Sequence, residues 1–294
     1  MAARTRAGGP RLLMSGPPSP GPGGTAGPPR LRWHERLDAG SIAFLALLAL
    51  GAFSLPALRG PGRDLDYLAN LRRFLGRFFP PDLSVLGTTL SGLAETFQIA
   101  VLATLAAVAL SIPLALAGAR TLAPRPLVIL ARMAMNAIRT LPSLIWALLA
   151  VAVVGANPVA GVVALTFYSM GYLGKFFSDA FESVDLKVAA GLRALGAHPL
   201  QAFQFGLWPQ TRPLLWSQAL WMLEYNLRSA AIVGYVGAGG IGVQLHAYQE
   251  YYQWDRFATV LLCILVLVTA LDLVGERLRA HITRRGPREG LTTN

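Results

Sequence analysis

The chain is 294 residues long; 54% of its positions are hydrophobic and only 14% are Asp, Glu, Lys or Arg, against roughly 25% in a soluble domain. Charge is missing from residues 96–119 and 140–174 and crowded between such blocks, which excludes an ordinary soluble domain. The net charge of +11 does not imply nucleic acid: the basic residues flank apolar blocks, and no compact basic domain with interleaved aromatics remains once these are set aside.

In chain order, residues 1–38 are rich in Pro, Gly and Arg, a composition that predicts a disordered cytosolic tail. The apolar run 42–58 has the character of a signal h-region, but it lies late and no small-x-small cleavage site follows it. An uncleaved first span over 39–60 is expected, with Arg30, Arg32 and Arg36 held in the cytosol. Residues 61–88 read as an amphipathic extracytoplasmic segment. There Tyr67, Leu68, Leu71, Phe74, Leu75 and Phe78 recur at helical spacing, with Arg72, Arg73 and Arg77 on other faces. That placement offends the positive-inside rule, and Asp64, Asp66 and Asp82 offset it in part.

Residues 89–276 predict a five-helix core. A membrane-crossing helix needs roughly 20 apolar residues, so block 96–119 fits one span and block 140–174 fits two short ones. The second span runs from about 94 to 118, with Arg120 and Arg125 at its cytosolic end. The third begins near Leu127, carries Arg132 and Arg139, bends at Pro142 and stops at Gly155-Ala156-Asn157-Pro158. The fourth, about 159–177, closes on Lys175, whose stem can snorkel to the interface. A polar loop with a helical pattern, about 178–213, follows. The fifth span starts near Leu214 and breaks at the glycines after Ile232; an amphipathic connector, 243–254, leads to the sixth, 257–274. Residues 277–294 form a basic cytosolic tail with Arg277, Arg279, Arg284, Arg285 and Arg288. The expected fold class is an all-α membrane protein with six transmembrane helices and both termini in the cytosol.

Three segments could carry function. The loop Ala189-Ala190-Gly191-Leu192-Arg193-Ala194-Leu195-Gly196-Ala197, followed by His198, reads as a small-residue helix ending in a bend. It would present a short helix away from the bilayer, either as an ordinary amphipathic loop or as a handle for a soluble partner. Glu224, Asn226 and Arg228 lie inside the fifth span. A lone charge at mid-bilayer costs about 2.5–3.5 kcal/mol on insertion scales, and Glu224 and Arg228, one turn apart, are expected to pair. Two roles stay open for them: a structural lock, or a lining for an anionic substrate with Arg228 as its bidentate partner. Gly237, Gly239, Gly240 and Gly242 interrupt the helix, as a simple close-packed break or as part of a gate. Gly237, Gly239 and Gly242 match the letter of a dinucleotide fingerprint, but a membrane helix precedes them, not a strand of an α/β unit.

The small-residue loop resembles the EAA loop of ABC-importer permeases, the coupling helix that docks into a groove of the ATPase subunit. Arg139-Thr140-Leu141-Pro142, Gly171-Tyr172-Leu173-Gly174-Lys175, Trp208-Pro209-Gln210, Glu224-Tyr225-Asn226-Leu227-Arg228-Ser229-Ala230 and Val236-Gly237-Ala238-Gly239-Gly240-Ile241-Gly242 are similar to the phosphonate-transport permease family, in consistent order over about 83–278. The family has an acidic residue at the start of the loop motif, where this chain has Ala190; the polar contact that carboxylate would make to the ATPase is not carried over. The resemblance implies a type I ABC-importer permease of the bacterial inner membrane, working by alternating access. It would act with a second copy of itself, a cytosolic ATPase, an extracytoplasmic substrate-binding protein and membrane lipid. It implies ATPase coupling through Ala190, Gly191, Arg193, Gly196, Ala197 and His198, and a path or gate at Glu224, Asn226, Arg228 and the four glycines.

No catalytic role, cofactor or metal is expected. His198, His246 and His281 are far apart in sequence, Cys263 sits alone in an apolar block, and no G-x-x-x-x-G-K-[ST] loop appears, so ATP hydrolysis falls to another chain. Arg139 and Asp272, near span ends, are expected to anchor at the interface. The rival readings are a same-fold permease for another solute such as methionine, a self-sufficient channel or ion-coupled carrier, and a membrane enzyme.

Overall fold

The computed structural model describes residues 39–58 and 66–284, and every regular element among them is helical. The chain divides into two units, Met1–Leu65 and Asp66–Asn294. In the first, α1 (Ala39–Ser54) continues into a 3-10 turn, Leu55–Leu58, within the stretch of the expected first span. The expected tail 1–38, the arginines in it and Asp64 lie outside the described residues, as do Arg285 and Arg288.

The second unit is a bundle. It starts with α2 (Tyr67–Phe78), capped by the Asp66 carboxylate, which accepts from the Ala69 N–H. A 3-10 turn at Leu83–Val85 then leads into α3 (Leu86–Gly118). There follow α4 (Arg125–Thr140), α5 (Ser143–Val154), α6 (Pro158–Glu182), α7 (Leu186–Ala194), α8 (Pro199–Ala202), a π-helical turn (Phe203–Leu207), α9 (Trp208–Gly234), α10 (Ile241–Glu250) and α11 (Trp254–Arg284).

Four helical stretches among the described residues are long and apolar enough to cross a membrane: Gly40–Ala57, Leu83–Gly118, Pro158–Glu182 and Trp254–Ala280. The third expected span is a pair, α4 and α5, bent by 89°. Pro142 accounts for the angle: a proline cannot continue the hydrogen-bond ladder and holds Leu141 extended. The fifth expected span, α9, begins at Trp208 rather than Leu214, because Pro209 sits in the first turn, where its missing N–H is not needed. The fourth and sixth helices also outrun expectation. Lys175 bonds Asp179 at 2.5 Å inside α6 rather than closing it, and α11 runs well past residue 274.

Between α3 and α6 the core includes a seam rich in small residues. On α3, Ala100, Ala103, Ala107, Ser111 and Ala115 are buried at three- and four-residue intervals and meet Ala160, Ala164 and Leu173 of α6. In lipid the hydrophobic effect does not drive helices together, so close van der Waals approach and interhelical hydrogen bonds must. Small side chains permit the first. The second come from Ser178 Oγ to the Ala115 carbonyl (3.0 Å) and Thr166 Oγ1 to the Ala103 carbonyl (3.4 Å). Gly118 and Gly174 leave room for Met135 of α4: a Cβ at either would come within 2.8 Å of that side chain.

The two ends of the bundle differ. At one, Arg132 ties α4 to the end of α6 through Glu182 (2.7 Å), donates to the Gly118 carbonyl (3.0 Å), and Glu182 also accepts from the Arg120 N–H. At the other, the turn before α3 is pinned to the start of α11. Arg256 pairs with Asp82 at 3.1 Å, Thr259 donates to the Asp82 carbonyl at 2.7 Å, and Phe74 packs edge-on to Trp254. Hydrogen bonds from Ser84, first its side chain and then its backbone, hold the Asp82 carboxyl below its ordinary value.

Candidate coupling loop and translocation gate

At the α3–α6 end, α7, α8 and the π-helical turn fold into a small hairpin around Ala189, Ala202 and Leu207. Asp185 caps α7 at the Lys187 N–H. The helix stops at Gly196, whose φ of +90° a residue with a side chain rarely adopts; the Ala197 N–H reaches back to the Leu192 carbonyl at 3.0 Å, closing the end as a Schellman-type turn. His198 caps α8 in a capping box: its Nδ1 accepts from the Leu200 N–H, and Gln201 accepts from the His198 N–H. Gln210 clamps the hairpin's base, donating to the Gly206 carbonyl (2.6 Å) and exchanging bonds with the backbone of Asp185. This explains the Trp208-Pro209-Gln210 signature, whose glutamine had no assigned role in the sequence. Gly206 lies against the Ala189 backbone, where a Cβ would approach to 2.9 Å.

The hairpin turns apolar side chains outward. Leu195 is 87% exposed, Leu200 67% and Phe205 64%. Leu200, Phe203, Gln204 and Trp208 line a cavity of about 300 Å³ beside α8. Ala190, Gly191, Arg193, Gly196 and His198 are all exposed, and a Cβ at Gly191 would meet nothing within 4 Å. Among the described residues nothing requires Gly191 to be small.

At the opposite end α9 stops at Gly234 and the chain crosses to α10 through Tyr235–Gly240. Gly237, Gly239 and Gly240 have φ of +90°, +81° and +72°. Here the glycines are enclosed. A Cβ at Gly239 would come within 2.8 Å of the Pro158 backbone and one at Gly240 within 2.6 Å of Thr96 Oγ1, while Gly242 abuts Ala231 and Tyr235. Thr96 Oγ1 accepts from the Ile241 N–H (2.7 Å) and donates to the Gly92 carbonyl (2.7 Å), so α3 caps α10 across the break. Beside it a cavity of about 390 Å³ is lined by Glu95, Asn157, Gly237, Gly239, Gly240 and Gln244. Glu95, one residue before the charge-free block, was not singled out from the sequence; its place beside the glycine break emerges only from the fold.

The polar residues of α9 are placed differently from expectation. Glu224 and Arg228 do not pair with each other. Glu224 pairs with Arg279 of α11, and Arg228 with Asp272 of α11 at 2.9 and 3.2 Å. One turn of helix permits a pair, but α11 packs along this face and offers each residue an opposite charge at the same level. Asp272 is thus an interhelical partner rather than an interface anchor. Asn226 is fully buried, accepting from Ser169 Oγ (2.8 Å) and donating to Thr104 Oγ1 (2.9 Å), a bridge from α6 through α9 to α3. Its side chain is sealed among these helices and lines no open surface of the chain.

A helical membrane bundle, with an outward-facing hairpin at one end and a glycine-broken helix at the other, is the frame of a transporter's membrane subunit. Residues 107–285 match the family described as binding-protein-dependent transport system inner membrane component. The chain belongs to that family, as a multi-pass protein of the inner membrane. It is 36% identical over 256 residues to the phosphite transport system permease protein PtxC of Stutzerimonas stutzeri, covering 85% of this chain and 91% of that one. It is 33% identical over 208 residues to the phosphate-import permease protein PhnE of Mycolicibacterium smegmatis, covering 70% of this chain and 39% of that one. The fold is similar to that in an inward-facing structure of the MetNI methionine ABC transporter, with a TM-score of 0.61 and 22% identity over 68% of this chain and 99% of that one.

Proposed function

We propose that this chain is the permease of an ATP-driven importer for a phosphorus oxyanion, phosphite or a phosphonate, built from two copies with a separate ATPase on the hairpin side and a binding protein on the other. The observation that carries the coupling half is the hairpin itself, an exposed apolar surface on a rigidly capped frame with a glycine open to its surroundings. An apolar patch that none of the described residues covers suits a protein partner. The relatives named for phosphite and phosphate support the cargo.

In this reading α1, α3, the α4–α5 pair, α6, α9 and α11 make six spans. At 27 residues, α9 is about 40 Å long, enough to cross despite its polar side chains. The hairpin end faces the cytosol, where Arg120, Arg125, Lys187, Arg193 and Arg212 satisfy the positive-inside rule. Ala190, Gly191, Arg193, Gly196, Ala197 and His198 form or shape the docking surface, and the Gly237–Gly242 break is the gate. ATP drives the cycle only because the ATPase dimer binds one conformation of the permease better than the other.

The test is reconstitution in liposomes with the ATPase and the binding protein. ATP-dependent accumulation of phosphite or methylphosphonate is expected, with none when the ATPase is omitted. Uptake by the permease alone would instead mark a channel or ion-coupled carrier.

A further inference from the structure

Ion pairs join many of the charges along the helices: Arg132 with Glu182, Lys175 with Asp179, Arg228 with Asp272, and Glu224 with Arg279. Arg139 has no such partner among the described residues. It stands in the last turn of α4, just before the 89° turn at Pro142. Its stem lies along α6, so close that a Cβ on Gly171 would come within 3.0 Å of its Cγ. Gly171 is 13 residues from Pro158 and 11 from Glu182, about 20 and 16 Å along the helix, which puts the arginine near the middle of the span. Its Nε is buried with no acceptor. The guanidinium carbon sits 4.6 Å over the Tyr172 ring.

Tyr172 belongs to a row of rings along α6 and α9: Tyr168, Tyr172, Phe176, Trp221 and Tyr225, with neighbouring centroids 4.9–6.4 Å apart. Tyr168 is buried and shares a 2.6 Å hydrogen bond between hydroxyls with Tyr225. The other four are half-buried or exposed, so the row is an open face of the bundle rather than core. A charged residue at this depth suits a functional site more than an anchor. Tyr172 holds the guanidinium by one face, and among the described residues no carboxylate pairs with it.

We infer that Arg139 is the anion-selecting residue of the transport path, its guanidinium taking oxygens of the phosphorus oxyanion as the cargo passes the turn at Pro142. This rests on the cargo reading above. The rings of the row carry no charge of their own, so the contact selects without trapping.

The test uses the assembled complex in liposomes, with uptake of phosphite and methylphosphonate measured beside ATP hydrolysis. Arg139→Gln should lower uptake by about 30-fold or more, the loss expected when one partner of a desolvated charge-assisted contact is removed, while ATP hydrolysis persists. Arg139→Lys keeps the charge but not the two-pronged fork; it should restore part of the uptake and change the ratio of the two cargoes. Wild-type uptake by Arg139→Gln overturns the inference and leaves the cargo reading standing. If Arg139→Gln does not assemble, Arg139→Lys decides: wild-type rate and ratio reduce Arg139 to a structural charge. A wild-type complex that hydrolyses ATP yet takes up neither compound sinks the cargo reading, and the inference with it.

Discussion

The hairpin at 186–207 and the break at 235–240 are both glycine-marked interruptions of the helical bundle, and they are built in opposite senses. A Cβ at Gly191 in the hairpin meets nothing among the described residues, and Leu195, Leu200 and Phe205 are exposed. Gly239 and Gly240 in the break are walled in by Pro158 and Thr96, with the Ile241 N–H bonded across to α3. A glycine that leaves room for nothing in its own chain serves something outside it. A glycine with φ near +80° against a neighbouring backbone serves the chain's own geometry.

The comparison breaks most readily at Gly239. Gly239→Val adds both backbone strain and a clash with Pro158, and should cost roughly 3 kcal/mol or more, read as a large drop in the thermal midpoint of the detergent-solubilised protein. An unchanged midpoint would mean the break is not the tightly packed element described. Next is Asn226→Leu, which takes the acceptor from the buried Ser169 hydroxyl and leaves Thr104 only its bond to the Ala100 carbonyl; a loss of about 1–3 kcal/mol is expected on thermal unfolding.

The two α9–α11 ion pairs sharpen the contrast further. The Glu224 side chain is 10% exposed and that of Asp272 47%, so Glu224→Gln should destabilise more than Asp272→Asn in parallel melts. Equal effects would undo this ranking, since exposed pairs contribute little and a broken buried pair leaves a stranded charge.

The smallest effect belongs to Asp82, whose carboxyl is held low. A depressed carboxylate contributes above its unfolded value, about 4, and the contribution is lost as pH falls through the lower folded value. Protection of the 82–86 amides, taken relative to their intrinsic exchange at each pH, should therefore be flat around neutrality and fall only in acid, with Asp82→Asn less protected throughout.

The helices themselves were legible because the bilayer sets their length and hydrophobicity. The hairpin's ends were legible because Gly196 and the small residues before it leave few alternatives. The angle at Pro142 was not: a proline marks a bend without fixing its size. Nor were the partners of Glu224 and Arg228, since helical spacing allows an in-helix pair while only packing shows that α11 brings Arg279 and Asp272 alongside. Arg139 read as an interface anchor for the same reason. Its depth became visible only once Gly171 and Tyr172 of α6 stood next to it.

The most direct measurement of the account's central claim places a tryptophan at Gly191, where the chain itself has room. Gly191→Trp should melt like wild type yet fail to co-purify with the ATPase, abolishing ATP-dependent uptake. A variant that retains the ATPase and imports at the wild-type rate would contradict the assignment of this hairpin as the docking surface.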